Sequence, residues 1–184
     1  MITTPHCLEK YEYTPSDTWL GLAEVYKKTE EPEKLVVALE NGSRGKLTQT
    51  NSGNALRLAQ SKIELGDVAG AKRVLDQVVT SSETEELQRL VLLGQSSLLS
   101  KSATTPPSSF EGCANKIQNK LSDVEVASLE PRLLALSHEI MIRCWLAADK
   151  LEKAEEGLRT AAPLLSGNPA FLELNKQLQI QKTS

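Results

Sequence analysis

The stretch LRLAQSKIELGDVAGAKRVLDQVV, Leu56–Val79, decides how the rest of the chain is read. Apolar residues return at three- and four-residue steps on both sides of Gly66-Asp67, the periodicity of a helix with one buried face. Glycine just past the end of a helix adopts a left-handed conformation that costs other residues more. The pattern therefore predicts one helix over about 54–65 and a second over about 68–79. Ala59 and Ala71 flank the break, where larger apolar side chains would bury more surface.

Working outward, TPSDTWLGLAEVYKK carries a helix start. Thr14 can cap, Pro15 suits the first helical position and Asp17 favours the positive helix end. Trp19, Leu22, Ala23 and Tyr26 then share one helical face. A second helix is expected from Pro32 to about Glu40, leaving at Asn41-Gly42 into a polar loop over 41–52. Beyond the opening stretch, Ser82 and Glu85 have capping-box spacing ahead of LQRLVLLGQSSLL. Ser108 with Glu111, and Ser122 with Glu125, repeat that spacing. Pro131 opens a long helix, and another follows from Leu151 to about Ala162, with Pro163 at its end. Asn168-Pro169 starts a last helix that runs to about Ile180. Residues 1–13 read as an extended arm, 100–109 (SKSATTPPSS) as a Pro/Ser-rich insertion and 181–184 as a tail. No strand-like alternation of useful length occurs, so the chain reads as all-α.

The pairs repeat. Leu22, Leu58, Leu93 and Met141 are matching points separated by 36, 35 and 48 residues, and the last interval is lengthened by roughly the 100–109 insertion. The first two lie near the ~34-residue period of a helix–turn–helix repeat. WLGLAEVY resembles the start of a tetratricopeptide repeat, with Ala23 where glycine is commonest. LAQSKIELGDVAGAKRVL resembles its centre, and IRCWLAADKLEKAEEGL is similar, with Asp149 in place of the turn glycine. The resemblance implies a right-handed superhelical stack of about four antiparallel helix pairs over 14–180, closed by a C-terminal capping helix. Ala59 and Ala71 would then sit where two helices cross. An unrelated helical bundle is the alternative.

Composition narrows the function. A net charge of -3 with no long Lys/Arg run argues against nucleic acid as the main partner. Three widely separated cysteines (Cys7, Cys113 and Cys144) do not make a disulfide framework and suit an intracellular, reduced protein. The N-terminus has neither the apolar core of a signal peptide nor the arginine of a transit peptide, so a cytoplasmic location is expected; a mature mitochondrial protein would look the same. No apolar run reaches the ~18 residues of a membrane span.

Chemistry-bearing motifs fail on inspection. GSRGKLT (42–48) has the wrong glycine spacing for a phosphate loop and a leucine where the magnesium-binding hydroxyl belongs. His138 and Cys144, six residues apart, fall on different faces of one helix, and His6 is remote in sequence, so no zinc site is expected. Asn41-Gly42-Ser43 matches a glycosylation acceptor without a secretory signal. No catalytic, cofactor or metal residue is assigned.

In tetratricopeptide arrays the first helix of each pair lines a concave groove. The resemblance places Leu20, Glu24 and Lys27 there from the first pair, and Leu56, Gln60 and Ile63 from the second. The third supplies Val91, Gln95 and Leu98, and the fourth Glu139, Arg143 and Leu146. Leu20 and Glu24 stand where family members that hold acidic chaperone tails begin a lysine–asparagine clamp, which argues against that ligand. The expected function is a non-catalytic protein-binding scaffold or adaptor, or a structural subunit of a larger complex. It would hold an amphipathic helix or extended apolar segment in an apolar groove, unless the last helix or the N-terminal arm fills that groove. RNA binding by a helical-repeat array, and an enzyme in an unrecognised helical fold, are the alternatives.

Overall fold

The computed structural model describes residues 16–43, 52–165 and 167–183; the N-terminal arm, Thr14, Pro15, His6 and Cys7 lie outside these. The described residues form nine α-helices and one 3-10 turn, with no strand. The chain divides into two compact units, Met1–Val79 and Thr80–Ser184.

The first unit contains α1 (Ser16–Lys28), α2 (Pro32–Ser43), α3 (Ser52–Glu64) and α4 (Val68–Gln77). Each helix packs on the next in chain order. Trp19, Leu22, Ala23 and Tyr26 are all buried, as their shared face requires. Ala59 and Ala71 are both fully buried on α3 and α4, which pack together. Small side chains there let the helix axes approach closely. Asp67 accepts a 2.8 Å hydrogen bond from the Gly70 N–H and so caps α4.

The second unit contains α5 (Glu83–Leu99), α6 (Pro107–Asp123), a 3-10 turn (Val126–Ser128), α7 (Pro131–Ala147), α8 (Leu151–Leu165) and α9 (Pro169–Thr183). Here α5 packs on both α6 and α7, α7 also packs on α6 and α8, and α9 packs on α7 and α8. One contiguous core joins all five helices, with Trp145, Phe110, Leu87, Ile117, Ile142, Leu174 and Leu178 among its fully buried members. The close approach of α5 depends on Gly94, where an added Cβ would lie 2.7 Å from Ile140 Cγ2 and 3.4 Å from Ile117 Cδ1.

Three turns share one hydrogen-bond pattern. The carbonyls of Tyr26, Lys62 and Trp145 accept from the N–H groups five residues on, those of Glu31, Asp67 and Lys150, at 3.0, 2.8 and 2.9 Å. The inner bonds run from Glu30 to Lys27, Gly66 to Ile63 and Asp149 to Leu146. This double closure around a left-handed residue is the Schellman motif, and Glu30, Gly66 and Asp149 have φ of 55°, 82° and 57°. The next helix starts alike each time: the N–H of Leu35, Ala71 and Ala154 reaches back to the carbonyl of Glu31, Asp67 and Lys150 at 2.9 Å. Counting back four residues from Tyr26, Lys62 and Trp145 gives Leu22, Leu58 and Met141, the matching points of the sequence repeat. Leu93 has no such turn behind it. Its helix ends at Ser100 with φ of −89°, followed by a segment closed by the hydroxyls of Ser102, Thr104 and Thr105.

Several local expectations change. Asn41-Gly42 does not end α2, which continues to Ser43. Asn41 Nδ2 donates to the Val37 carbonyl at 3.0 Å, and Gly42 is buried where a Cβ would lie 2.9 Å from Leu20 Cδ2. Pro163 lies inside α8, close to its end, where the lost N–H leaves only one carbonyl unpaired. Ser82 caps α5 through the Glu85 N–H at 3.2 Å, but Glu85 closes back on the Ser81 N–H rather than that of Ser82. The Ser108–Glu111 and Ser122–Glu125 boxes do not form. Pro107 opens α6 ahead of Ser108, and Ser122 Oγ donates within α6 to Gln118. Asn168 behaves as expected, accepting from the Ala170 N–H at 2.9 Å ahead of α9.

Candidate protein-binding surface

The residues assigned to the groove separate by exposure. Leu56, Ile63, Val91 and Leu146 are buried, at 0%, 6%, 1% and 6% exposure. Leu20, Gln60, Gln95, Leu98, Glu139 and Arg143 are half-buried, and Glu24 and Lys27 are exposed. At these positions the surface open to a partner is therefore mixed, with Leu20 and Leu98 its partly exposed apolar members; the apolar groove expected from sequence loses four of its anchors to the interior. The reason is geometric: helices that pack on neighbours along two edges bury a stripe wider than one amphipathic face.

Several of the polar members are held in place by neighbours. Glu24 of α1 pairs with Arg57 of α3, joining the first helices of the two pairs in the first unit. Gln60 Nε2 donates to Glu64 Oε1 at 3.1 Å. In the second unit, Arg143 Nε donates to Glu139 Oε1 at 3.0 Å, one helical turn back on α7. Lys62 lies behind the α3 face. It ties Glu40 of α2 at 2.7 Å to Asp67 of the following turn at 3.2 Å. Burial pulls the Lys62 pKa down, but its hydrogen bonds to Glu40 and Asp67 outweigh this and leave it raised, so it stays charged. The Gly70 N–H, then Lys62, hold the Asp67 carboxyl below the usual carboxylate range. Sequence periodicity reveals neither tie, because each joins residues on different helices or on a turn.

The remaining sequence candidates carry no assembled chemistry among the described residues. His138 is buried in α7 with Nδ1 lacking a hydrogen-bond partner, and burial lowers its pKa. No cluster of three or more histidine, cysteine or carboxylate side chains is placed to hold a metal ion among the described residues. GSRGKLT lies mostly outside them, and Asn41 of the glycosylation triplet is helical. No described helix is long and apolar enough to cross a membrane. No protein-family model matches the chain, and no curated protein or solved structure is significantly similar to it.

Proposed function

We propose that the helix pairs are tetratricopeptide-like, forming a right-handed stack closed by α9, and that the chain is a non-catalytic protein-binding scaffold or structural subunit of a larger assembly. The observation that carries this reading is the packing of α5 on α7 within the second unit, with α6 and α8 as their second helices. The first helices of successive pairs lie together, and their half-buried Gln95, Leu98, Glu139 and Arg143 remain open to a partner. Such a mixed face suits a segment that lays one apolar side chain against Leu98 and hydrogen-bonds to Gln95 and Arg143, as interface rims do. The corresponding residues of the first unit are Leu20, Gln60, Glu24 and Lys27.

The test is gentle affinity purification from native cells, repeated with Leu98→Glu combined with Arg143→Glu. Both residues are partly exposed, so helicity by far-UV circular dichroism is expected to stay unchanged while the co-eluting protein is lost. A chain that returns alone, or a double variant that keeps its partner, overturns the reading.

A further inference from the structure

The segment SKSATTPPSS, 100–109, leads from α5 into α6 without the turn that joins the other pairs. Ser102, Thr104 and Ser108 are exposed in it and Thr105 is half-buried. The Thr105 hydroxyl accepts from the Ser102 N–H at 3.0 Å and lies 3.1 Å from Ser102 Oγ. The Thr105 N–H donates to the Ser102 carbonyl at 3.1 Å. These bonds stay within one solvent-facing turn, so it can open without disturbing either helix. Pro106 follows with φ of −69° and ψ of 138°, a polyproline-type conformation, and proline presses the residue before it toward extended backbone. Thr4 and Thr14 also precede proline but lie outside the described residues.

Basic side chains gather beside this segment. Lys101 Nζ stands over the Phe110 ring, 5.7 Å from its centroid. Glu111, the next residue of α6, binds Lys150 at 3.4 Å and Lys153 at 3.5 Å. The helix itself begins after Pro106 with no side-chain cap. A phosphate brings about two negative charges at neutral pH and is stabilised by a neighbouring cation and by the positive end of a helix.

We propose that Thr105 is a phosphorylation site for a proline-directed protein kinase, and that its phosphate is held by Lys101 and the start of α6. Proline offers no N–H, so a kinase groove with no acceptor at the position after the hydroxyl accepts Thr105-Pro106 and excludes the other hydroxyls of the segment. Thr105 Oγ1 attacks the γ-phosphorus of a nucleoside triphosphate, the new O–P bond forms and the bond to the β-phosphate oxygen breaks. The hydroxyl proton passes to the catalytic carboxylate of the kinase, and the nucleoside diphosphate leaves. The proposal is independent of what the scaffold holds.

The full chain carrying Thr4→Ala and Thr14→Ala, in which Thr105 is the one hydroxyl residue before a proline, is incubated with ATP, magnesium and a proline-directed kinase. A synthetic peptide of residues 98–110 is treated alongside. Cleavage after lysine places Thr105 in the peptide 102–116, and fragmentation of that peptide is expected to put one phosphate on Thr105. Pro106→Ala should abolish the transfer, and Lys101→Gln should leave it intact. The phosphorylated chain should melt about 2–4 °C higher than the unmodified one, and high salt or Lys101→Gln should remove much of that gain. A folded chain left unmodified at Thr105, whatever the peptide does, or phosphate on Ser102, Thr104 or Ser108 instead, overturns the assignment of the site. An unchanged melting temperature overturns the contact with Lys101 and α6.

Discussion

Gly94→Ala places one methyl group where α5 meets α7. That methyl would sit 2.7 Å from Ile140 Cγ2 and 3.4 Å from Ile117 Cδ1, inside the ~3.5–4.0 Å at which carbon atoms rest. Ile140 is 4% exposed and, being β-branched in a helix, has one strongly preferred rotamer, so it cannot swing away. The helices must separate, and overpacking of this kind costs about 1–3 kcal/mol. Alanine returns about 1 kcal/mol of helix propensity. The net expectation is a loss of up to about 2 kcal/mol. Gly112→Ala is the control. It lies in α6 of the same unit, and an added Cβ there meets nothing within 4 Å. Only the propensity gain remains, so that variant should be more stable by about 0.5–1 kcal/mol. Urea unfolding followed by circular dichroism should therefore show midpoints moving in opposite directions at unchanged slope. A Gly94→Ala chain as stable as Gly112→Ala would refute the close approach of α5 to α7.

Three other outcomes are expected. Gly66→Ala should destabilise the first unit by about 1–2 kcal/mol, since its φ of 82° is left-handed; Asp149→Gly, at φ 57°, should stabilise the second, and equal signs in thermal melts would count against the shared turn. Burial lowers the His138 pKa from 6.5, so below that value the unfolded chain binds more protons than the native one. Stability should then fall as pH drops through this range, and His138→Leu should flatten the trend in urea midpoints; an unchanged slope would contradict it. The carboxyls of Asp67 and Glu86, held low chiefly by the Gly70 N–H and by Arg89 respectively, release their contribution only on further acidification. Leu56→Ala, at 0% exposure, should cost about 2–5 kcal/mol in unfolding experiments, whereas a loss below ~1 kcal/mol would return Leu56 to the surface.

Much of the helical order was legible because each signal was local. Gly66 marked its turn, and the three- and four-residue steps through Trp19 and Tyr26 marked their buried face. Asp149 was recognised only by alignment with Gly66, and Glu30 was missed, because a left-handed glutamate leaves no compositional mark. Asn41-Gly42 misled in the opposite direction: a good exit signal was overridden by packing against Leu20. Exposure was the least legible property. Leu56 and Val91 read as one edge of an amphipathic helix, and their burial depends on packing that periodicity within one helix does not encode.

Nesting of helices around small residues is tested most directly by proton NMR of the folded chain. Nuclear Overhauser cross-peaks are expected between the α-protons of Gly94 and the γ2 methyl of Ile140, and between those of Gly42 and the δ methyls of Leu20. A well-dispersed helical spectrum in which both sets are missing would contradict the account.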